Sequence, residues 1–568
     1  MKTIEKKWQI ESLITPEADK ELHTFPPLFR QILFNRGFAT DESARDFLKA
    51  KGPSATSPWL LSGMDLAIER IAQAINSHEL IIIYGDFDVD GVTATVLLVD
   101  VLRSLGANVE AYIPNRFDEG YGLNIDALEK IHQDGCRVVI TVDCGIRSLE
   151  EVKHACEIGL DIIITDHHNP GDQLPNAYAV INPKKIGDQY PDKDLAGVGV
   201  AYKIAEALME KFPGEGMKCE NLLDLVALGT VADLAPLTGE NRRLVRMGLH
   251  QIRQTSRQGL FSLAKVAGIE LRNCTAGDIG YVLGPRLNAS GRLESALASY
   301  ELLMTRDIKQ AGILAQKMEM QNRERRKITQ ITLEEAENLV TQQDPDDFLL
   351  LAADPSFNAG VVGLVASRLS EKFYRPVVVC TIEDDTTRGS CRSIPEFHIT
   401  DALDQCADLL VRFGGHAAAA GFTIQNQNFK EFQERLKEIA KGKLFDCDLR
   451  PTLCADREIS ISELNNTVLE QLEWFEPTGY GNPEVVFVSK DVQVLSKRTV
   501  GRNNSHLKLM VTDGFSKFDA IGFNLGYFLP DLTRNIDIMY TFEMNEFNGR
   551  RTLQLRIKDI KRGEDRNN

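Results

Sequence analysis

The sequence predicts a multidomain α/β protein: a parallel-sheet domain, a long connecting helix, a smaller α/β domain and a C-terminal antiparallel β-barrel. Three observations carry this. From about residue 65 to 165, short apolar strands alternate with helical segments. That is the pattern of βαβ units in a parallel sheet covered on both faces. A stretch from about 313 to 342 has no Gly or Pro and is rich in Gln, Glu, Arg and Lys. Beyond residue 449 the pattern shifts to short alternating segments, the signal of antiparallel strands.

Taken in order, residues 1–60 read as an N-terminal cap and 61–312 as the main α/β domain. In that domain Ile81–Tyr84, Val109–Ile113, Val138–Val142 and Asp161–Thr165 read as strands. Val92–Leu105, Ile125–His132 and Leu149–Ile158 read as helices, and 196–300 as mainly helical. Residues 313–347 form the connector, in which 313–342 makes a helix about 45 Å long at 1.5 Å per residue and a Pro-containing breaker at Gln343–Asp347 ends it. Its charge on nearly every side suits a bridge across solvent. A second α/β block follows at 348–445, with FLLLAADP and PVVVCTI as strands around a helix Val361–Phe373. Residues 446–562 hold the barrel strands, including Val485–Phe487, Val492–Leu495, His506–Val511 and Leu553–Ile557, and 563–568 read as a disordered tail.

Composition excludes several classes. The chain is 43% hydrophobic and 26% charged, ordinary for a globular protein. No run of 18 apolar residues occurs, so no membrane partner is expected. The start, MKTIEKKWQIESL, has lysines but no apolar h-region, which does not fit a secretory signal. None of the ten cysteines forms a CxxC pair, so reduced thiols and a cytoplasmic location are expected. A net charge of −17 argues against a general polyanion binder. It leaves room for a groove that binds one strand with the help of metal ions.

The chemistry is carried by three strand ends. IIIYGDFDVDG supplies Asp86, Asp88 and Asp90; VVITVDCG supplies Asp143; DIIITDHHNP supplies Asp166, His167 and His168. In open parallel sheets ligands bind outside the carboxyl ends of the strands, so these residues should converge. Close carboxylates cannot all stay ionised without cations. Carboxylates plus imidazoles, without thiolate, suit two Mn²⁺ or Mg²⁺ ions better than structural zinc, and such a pair serves in-line phosphoryl displacement. A lone DxD or HH is commonplace on a surface, but acids at three equivalent strand ends are not. In the second block, GGHAAAAG (414–421) offers Gly414 and Gly415 for close backbone approach, His416 as donor, and a helix begun by the alanines whose amides favour phosphate.

These motifs resemble the DHH phosphoesterase superfamily. Asp166-His167-His168 resembles its signature, and GDFDVDG (85–91), NRFDEGYGL (115–123), VDCG (142–145) and GTVADLAPL (229–237) resemble its other motifs. GPRLNASGRL (284–293), GSCRSIPEF (389–397), GGHAAAAGF (414–422) and PTGYGNPEVVF (477–487) narrow the resemblance to its single-strand-specific 5′ exonucleases. In those terms the domains are a DHH domain, a DHHA1 domain and an OB-like barrel. The resemblance implies Asp86, Asp88, Asp143, His167 and Asp233 as metal ligands, with Asp143 bridging. It implies His168 as a catalytic group facing the phosphate, with Asp90 and Asp166 orienting the ligands. Arg116, Ser390 and Arg392 resemble a 5′-phosphate grip, and Arg286, Asn288 and Arg292 resemble DNA-backbone contacts. One departure stands out: Ile82 occupies the position where simpler members carry a histidine, so one metal site has fewer ligands.

The implied activity is two-metal hydrolysis of single-stranded DNA from the 5′ end, releasing 5′-mononucleotides, in repair and recombination. The strand would thread between the first α/β domain and the accessory domain. The resemblance also implies a single-strand-binding protein and a RecQ-type helicase as partners; no GxxxxGK[ST] phosphate loop is present, so duplex opening is expected to come from elsewhere. Arg325–Lys327 reads equally as a channel lining and as a solvated helix face. Lys490, Lys497, Arg498, Arg502 and Lys508 near Phe487 and Trp474 give the barrel local basic character suited to single strands. Two rivals remain open: a phosphodiesterase of short oligonucleotides or cyclic dinucleotides, and an inactive DNA-binding scaffold.

Overall fold

The computed structural model describes residues 5–50, 56–115, 122–214, 216–293, 295–547 and 549–562. Arg116 and the tail 563–568 lie outside the described residues. The chain divides into two compact units. The larger comprises Trp8–Gly284, Leu303–Arg306 and Leu453–Asn568; the smaller comprises Met1–Lys7, Pro285–Leu302 and Asp307–Thr452.

A short strand β1 (Lys7–Ile10) precedes helices α1 (Pro16–Glu21), α2 (Pro27–Asn35), α3 (Asp41–Lys49) and α4 (Met64–Asn76). Then β2 (Leu80–Gly85), α5 (Val89–Ser104), β3 (Asn108–Tyr112), α6 (Ile125–Gln133), β4 (Val138–Val142), α7 (Leu149–Glu157), β5 (Asp161–Thr165) and β6 (Ala179–Ile181) alternate as the periodicity predicts. All five strands run parallel in the order β3-β2-β4-β5-β6. The order reverses between β2 and β4, and at such a switch point the flanking helices diverge and leave a crevice. One sheet face packs Ile82, Tyr84, Val139, Ile162 and Ile164 against Leu128, Ile131, Val152 and Ala155 of α6 and α7. Helices α8 (Gly197–Lys211), α9 (Leu223–Ala232), α10 (Gly239–Ile252), α11 (Gln258–Ala267) and α12 (Ala276–Asp278) follow.

Helices α13 (Gly284–Leu293) and α14 (Leu297–Met304) lead to the long helix α15 (Ile308–Thr341). This helix begins five residues before the expected 313, because Asp307 caps it by accepting from Gln310 N at 2.6 Å and Gly312 is accommodated inside it. It is also not polar all round. Leu314, Ala315, Met318, Thr329, Ala336 and Val340 are buried, and Ala336 and Val340 share a core with α16 (Val362–Phe373) and β7 (Leu350–Asp354). The smaller unit's sheet continues with β8 (Val377–Ile382), β9 (Thr386–Arg392), β10 (Leu410–His416) and β11 (Ala419–Gln425), in the order β10-β11-β9-β8-β7. Only β7 and β8 are parallel; the others pair antiparallel.

Strands β12 (Thr452–Ala455) and β13 (Arg457–Glu458) lead into a barrel of β14 (Phe487–Val500), β15 (His506–Thr512), β16 (Lys517–Gly522), β17 (Asn535–Phe547) and β18 (Arg550–Arg562). Its order is β14-β15-β16-β18-β17, closed by β17 on β14. The barrel is therefore not wholly antiparallel, since β16 pairs with β18 in parallel. The N-terminal helices share its core: Phe29, Ile32, Leu33 and Phe47 pack with Phe475, Phe487 and Tyr540. Burying one such Phe contributes about 1.5–3 kcal/mol. Arg242 of α10 reinforces the junction. Its buried guanidinium lies 4.0 Å from the Phe47 ring centroid and donates to carbonyls of Phe47, Trp474, Phe475, Glu476 and Pro477 at 2.8–3.2 Å.

Candidate active site

The strand-end sequences fold as a set of interlocked caps. Asp88 is the N-cap of α5, and its Oδ1 accepts from Asp90 N at 2.9 Å and Gly91 N at 3.1 Å. Asp90 reaches across to α8, accepting from Gly197 N at 2.7 Å and Val198 N at 2.8 Å. Two of the exposed amides at that helix start are thereby satisfied. Asp143, just past β4, has φ +62°, a left-handed conformation that is costly for a residue with a Cβ. Its amide donates to Thr165 O at 3.0 Å. Asp166 organises the histidines: its Oδ1 accepts from His167 N at 2.7 Å, His168 N at 3.0 Å and His168 Nδ1 at 2.8 Å, and its Oδ2 from Ile146 N at 3.0 Å. Asp233 arrives from elsewhere, as the C-cap of α9.

These groups meet. His167 Nε2 lies 3.0 Å from Asp143 Oδ1 and 3.8 Å from both Asp90 Oδ2 and Asp233 Oδ2. That nitrogen is buried and makes no hydrogen bond. Three sets offer ligand atoms within 4.8 Å of one another: Asp86, Asp88 and Asp143; Asp143, His167 and His168; Asp90, His167 and Asp233. Asp143 belongs to two of them, as a bridging carboxylate would.

The electrostatics ask for cations. Burial, then the charges of Asp90, Asp88, Asp86 and Asp233, hold the Asp143 carboxyl well above the usual range. Burial and Asp90 and Asp88 push Asp233 up to about 8, and burial and Asp88 push Asp90 up to about 7. Burial and the neighbouring His168 take His167 down to about 3, leaving the neutral imidazole that ligates metals. At His168 burial opposes charge, but Asp166, Asp233 and Asp88 outweigh it and raise the ring to about 9. A buried imidazole nitrogen without a donor, facing crowded carboxylates, fits divalent cations with oxygen and nitrogen ligands.

So the structure brings Asp86, Asp88, Asp143, His167, His168 and Asp233 into one crevice of the larger unit, together with Asp90. Ile82 is buried in the apolar layer of the sheet and supplies no nitrogen. Sequence reading missed two glycines under the site. A Cβ on Gly197 would lie 2.7 Å from Asp143 Cβ, and one on Gly91 2.7 Å from Asp86 Cβ. Only glycine lets these helix starts pack so closely on the ligands. The signal was the GVG of residues 197–199 opening an apolar helix.

Arg116 apart, the remaining substrate-binding candidates belong to the smaller unit. There the alanine-rich segment is not a helix start. Gly414, Gly415 and His416 end β10, and the chain turns into β11 with Gly414 opposite Gly421 and His416 opposite Ala419. Strand pairing overrides alanine's helix propensity, and the turn carbonyls of Ala417 and Ala418 accept from Ile399 N and Ser393 N. The next row places Gly421 opposite Ser390 and Ala419 opposite Arg392. Residues opposite each other share a face, so Gly414, His416, Ser390 and Arg392 lie on one side with only small residues between them. Gly363, at the start of α16, approaches the same side: a Cβ there would lie 3.0 Å from Ser390 Oγ and 3.3 Å from Arg392 Nη2. Arg392 donates to Ser390 Oγ at 3.3 Å. Arg292 reaches Gly360 O at 3.5 Å. Arg286 instead pairs with Glu319 at 2.7 Å, and Asn288 is half-buried on the same helix, α13. Arg325 is half-buried while Arg326 and Lys327 are exposed.

In the barrel, Phe487 is core and Trp474 packs edge-on against Phe29 at 5.6 Å. Lys490 pairs with Glu458 and Lys508 with Asp519, while Lys497 donates to Leu532 O. Arg498 lies opposite Lys508 across β14 and β15. Arg502 sits in the turn that joins those strands.

The chain is similar to known proteins in sequence and fold. Family models match as the DHH family N-terminal domain over residues 80–230, the DHHA1 domain over 346–442 and the RecJ OB domain over 455–559. The single-stranded-DNA-specific exonuclease RecJ of Bacillus subtilis (strain 168) is 40% identical over 97% of this chain and 70% of its own. The protein of that name from Escherichia coli (strain K12) is 38% identical over 94% of this chain and 96% of its own. The crystal structure of RecJ from Thermus thermophilus with Mn²⁺ superposes with a TM-score of 0.85 at 29% identity, covering 98% of this chain and 80% of that one. The same protein with Mg²⁺ gives 0.79 at 27% identity, covering 98% and 79%. Sequence, fold and ligand geometry agree, and the chain belongs to the RecJ family of single-stranded-DNA-specific exonucleases.

Proposed function

We propose that this chain is a metal-dependent exonuclease that hydrolyses single-stranded DNA from its 5′ end and releases 5′-mononucleotides. The observation that carries the reading is the convergence, at the switch point of a parallel sheet, of three overlapping sets whose ligand atoms lie within 4.8 Å of one another: Asp86, Asp88 and Asp143; Asp143, His167 and His168; and Asp90, His167 and Asp233. These residues would hold two ions, Mn²⁺ or Mg²⁺, which when bound would supply the Lewis acidity for activating water and offsetting charge in phosphodiester hydrolysis.

The chain's own groups do the rest. Asp143 belongs to two of the three ligand sets, and its strained backbone fixes the carboxylate in place. Asp166 holds His168 in one orientation and keeps it protonated, so that it donates a hydrogen bond to a non-bridging phosphate oxygen as charge develops there. Asp90 locks α5 to α8 and keeps the crevice in register. In the smaller unit, Ser390, Arg392, Gly414, Gly415 and His416 grip the 5′ phosphate; Arg116, assigned to 5′-phosphate binding by motif resemblance, lies outside the described residues. Arg286, Asn288 and Arg292 line the path of the backbone. Glu319 holds the Arg286 guanidinium in one orientation. A path wide enough for one strand rejects a duplex by size.

Duplex opening then falls to a separate motor, and we place a RecQ-type helicase and a single-strand-binding protein as partners in DNA repair and recombination. The ten cysteines, all free thiols, support a reducing cytoplasmic setting. No helix among the described residues is long and apolar enough to cross a membrane.

The test uses single-stranded DNA labelled at either end, a matched duplex and a dinucleotide, each with Mn²⁺, Mg²⁺ or chelator. Mononucleotides released from the 5′ end of single strands only, and only with metal, are expected. Release from the 3′ end, or rapid cleavage of the dinucleotide alone, overturns the reading.

A further inference from the structure

The residue after Asp233 is spent in an unusual way. Helix α9 closes with Asp233 N donating to Gly229 O at 2.9 Å, Leu234 N to Val231 O at 3.3 Å and Ala235 N to Thr230 O at 3.2 Å. This paired closure needs a left-handed residue, a place that glycine usually fills because a Cβ is strained there. Here it is Leu234, with φ +60°. Packing does not repay the strain, because Leu234 is 68% exposed.

The loop that carries it is firmly held. Ala235 and Leu237 are buried, and Leu237 N donates to Tyr480 O at 2.7 Å. A Cβ on Gly481 would lie 3.0 Å from Pro236 Cβ, so the 479–481 turn sits directly on this loop. Tyr480 is itself 65% exposed. The strained leucine is thus a fixed apolar projection, one residue from a carboxylate whose Oδ2 lies 3.8 Å from His167 Nε2. Neither the core nor the solvent gains from it. Strain that persists without a local return points to a contact made only with a ligand.

We infer that the Leu234 side chain is an apolar contact for the unstacked base next to the phosphate undergoing cleavage, and so a specificity residue for single strands. The inference rests on the proposed function. Every base has an apolar face, so such a contact tolerates any sequence. A base paired and stacked in a duplex hides that face, so the contact favours a strand whose bases are free.

The test compares wild type with Leu234→Gly, Leu234→Asn and Leu234→Met. Glycine and asparagine suit the left-handed backbone, whereas methionine keeps the apolar reach. Thermal midpoint, Mn²⁺ affinity by calorimetry and binding of a labelled single-stranded oligonucleotide by anisotropy, with Ca²⁺ replacing Mn²⁺, are measured on the full chain. Leu234→Gly and Leu234→Asn should keep or raise the midpoint and hold Mn²⁺ affinity within about twofold, yet bind the oligonucleotide about five- to tenfold more weakly. Leu234→Met should bind as wild type does. Unchanged oligonucleotide binding in Leu234→Gly overturns the inference. So does a parallel loss of Mn²⁺ affinity, which would make Leu234 a support for Asp233. Wild type that releases no nucleotide with Mn²⁺ sinks the proposed function instead, and the anisotropy series still decides Leu234.

Discussion

Two sheets of this molecule assemble chemical groups by different geometry. In the larger unit's parallel sheet the groups stand at strand ends, one or a few per strand, and converge because the strand order reverses between β2 and β4. In the smaller unit they stand on a strand face, in rows set by the pairing of β9, β10 and β11. The first site is crowded with acid, and burial and mutual repulsion hold Asp90, Asp143 and Asp233 above the ordinary carboxylate range. The second gathers a hydroxyl, a guanidinium and an imidazole around glycine and alanine, the face to which we assign the 5′ phosphate. An end-of-strand site depends on topology alone. A face site depends on register, where a one-residue slip would turn every group away.

Breaking the acidic site should have the largest effect. Asp143→Asn keeps the size and tolerates the left-handed backbone, but removes a charge from both ligand sets. Hydrolysis should fall by at least about 10³-fold. In chelator its melting midpoint should rise, because the amide removes a buried carboxyl that folding forces to take up a proton or bear charge beside Asp90, Asp88 and Asp86. Activity within tenfold of wild type would remove Asp143 from the centre.

Breaking the anion face should cost less and cost it differently. Arg392→Ala should reduce the preference for 5′-phosphorylated over 5′-hydroxyl strands by about 10- to 100-fold, the worth of one or two charge-assisted hydrogen bonds. Mn²⁺ affinity should not move. If both metal binding and end preference fall together, the two sites are not separate.

Two glycines sharpen the contrast. Gly197→Ala forces a methyl against Asp143, and a displacement below about 1 Å should cost about tenfold in kcat. Gly312→Ala fills open space inside α15 and should stabilise the fold by about 0.5–1 kcal/mol with activity unchanged. Steady-state kinetics and melting curves read both.

The smallest effect is a slope. Asp233 and Asp90 have folded-state pKa values raised to about 8 and about 7, so the folded state holds protons that the unfolded chain has lost. Stability from these acids therefore falls as pH rises through that range. His168, raised to about 9, contributes stability below its unfolded value that is lost as pH climbs toward 9. His167, lowered to about 3, costs stability only below about 6.5 and is silent above it. In chelator the melting midpoint should thus decline from about pH 6.5 to 9. Mn²⁺ should flatten that decline, and a rising midpoint without metal would mean the acids are not crowded as described.

Much of this was legible in the residues. The strands Val138–Val142 and Asp161–Thr165 were read to the residue, because both-face burial writes an unbroken apolar run. The acids and histidines follow those runs directly, so the site came with the strands. Asp233 was placed by motif resemblance alone, since a single acid at a helix end carries no sign of what it faces. The GGHAAAAG segment was misread as a helix start. Alanine's local preference points one way and the partner strand β9 pulls the other, with Ala419 paired to Arg392, beyond the reach of any local signal.

By itself, the sequence determined what depends on short range: apolar periodicity, strand ends, and which residue types could hold a metal or a phosphate. Tertiary structure decided what depends on partners far along the chain. It put Phe29 and Phe47 into one core with a barrel more than 400 residues later, and fixed the register that sets Ser390, Arg392 and His416 on one face. It also placed a leucine where the backbone favours glycine. The reason is physical: periodicity and propensity are read within a few residues, whereas packing and pairing are settled only when distant surfaces meet.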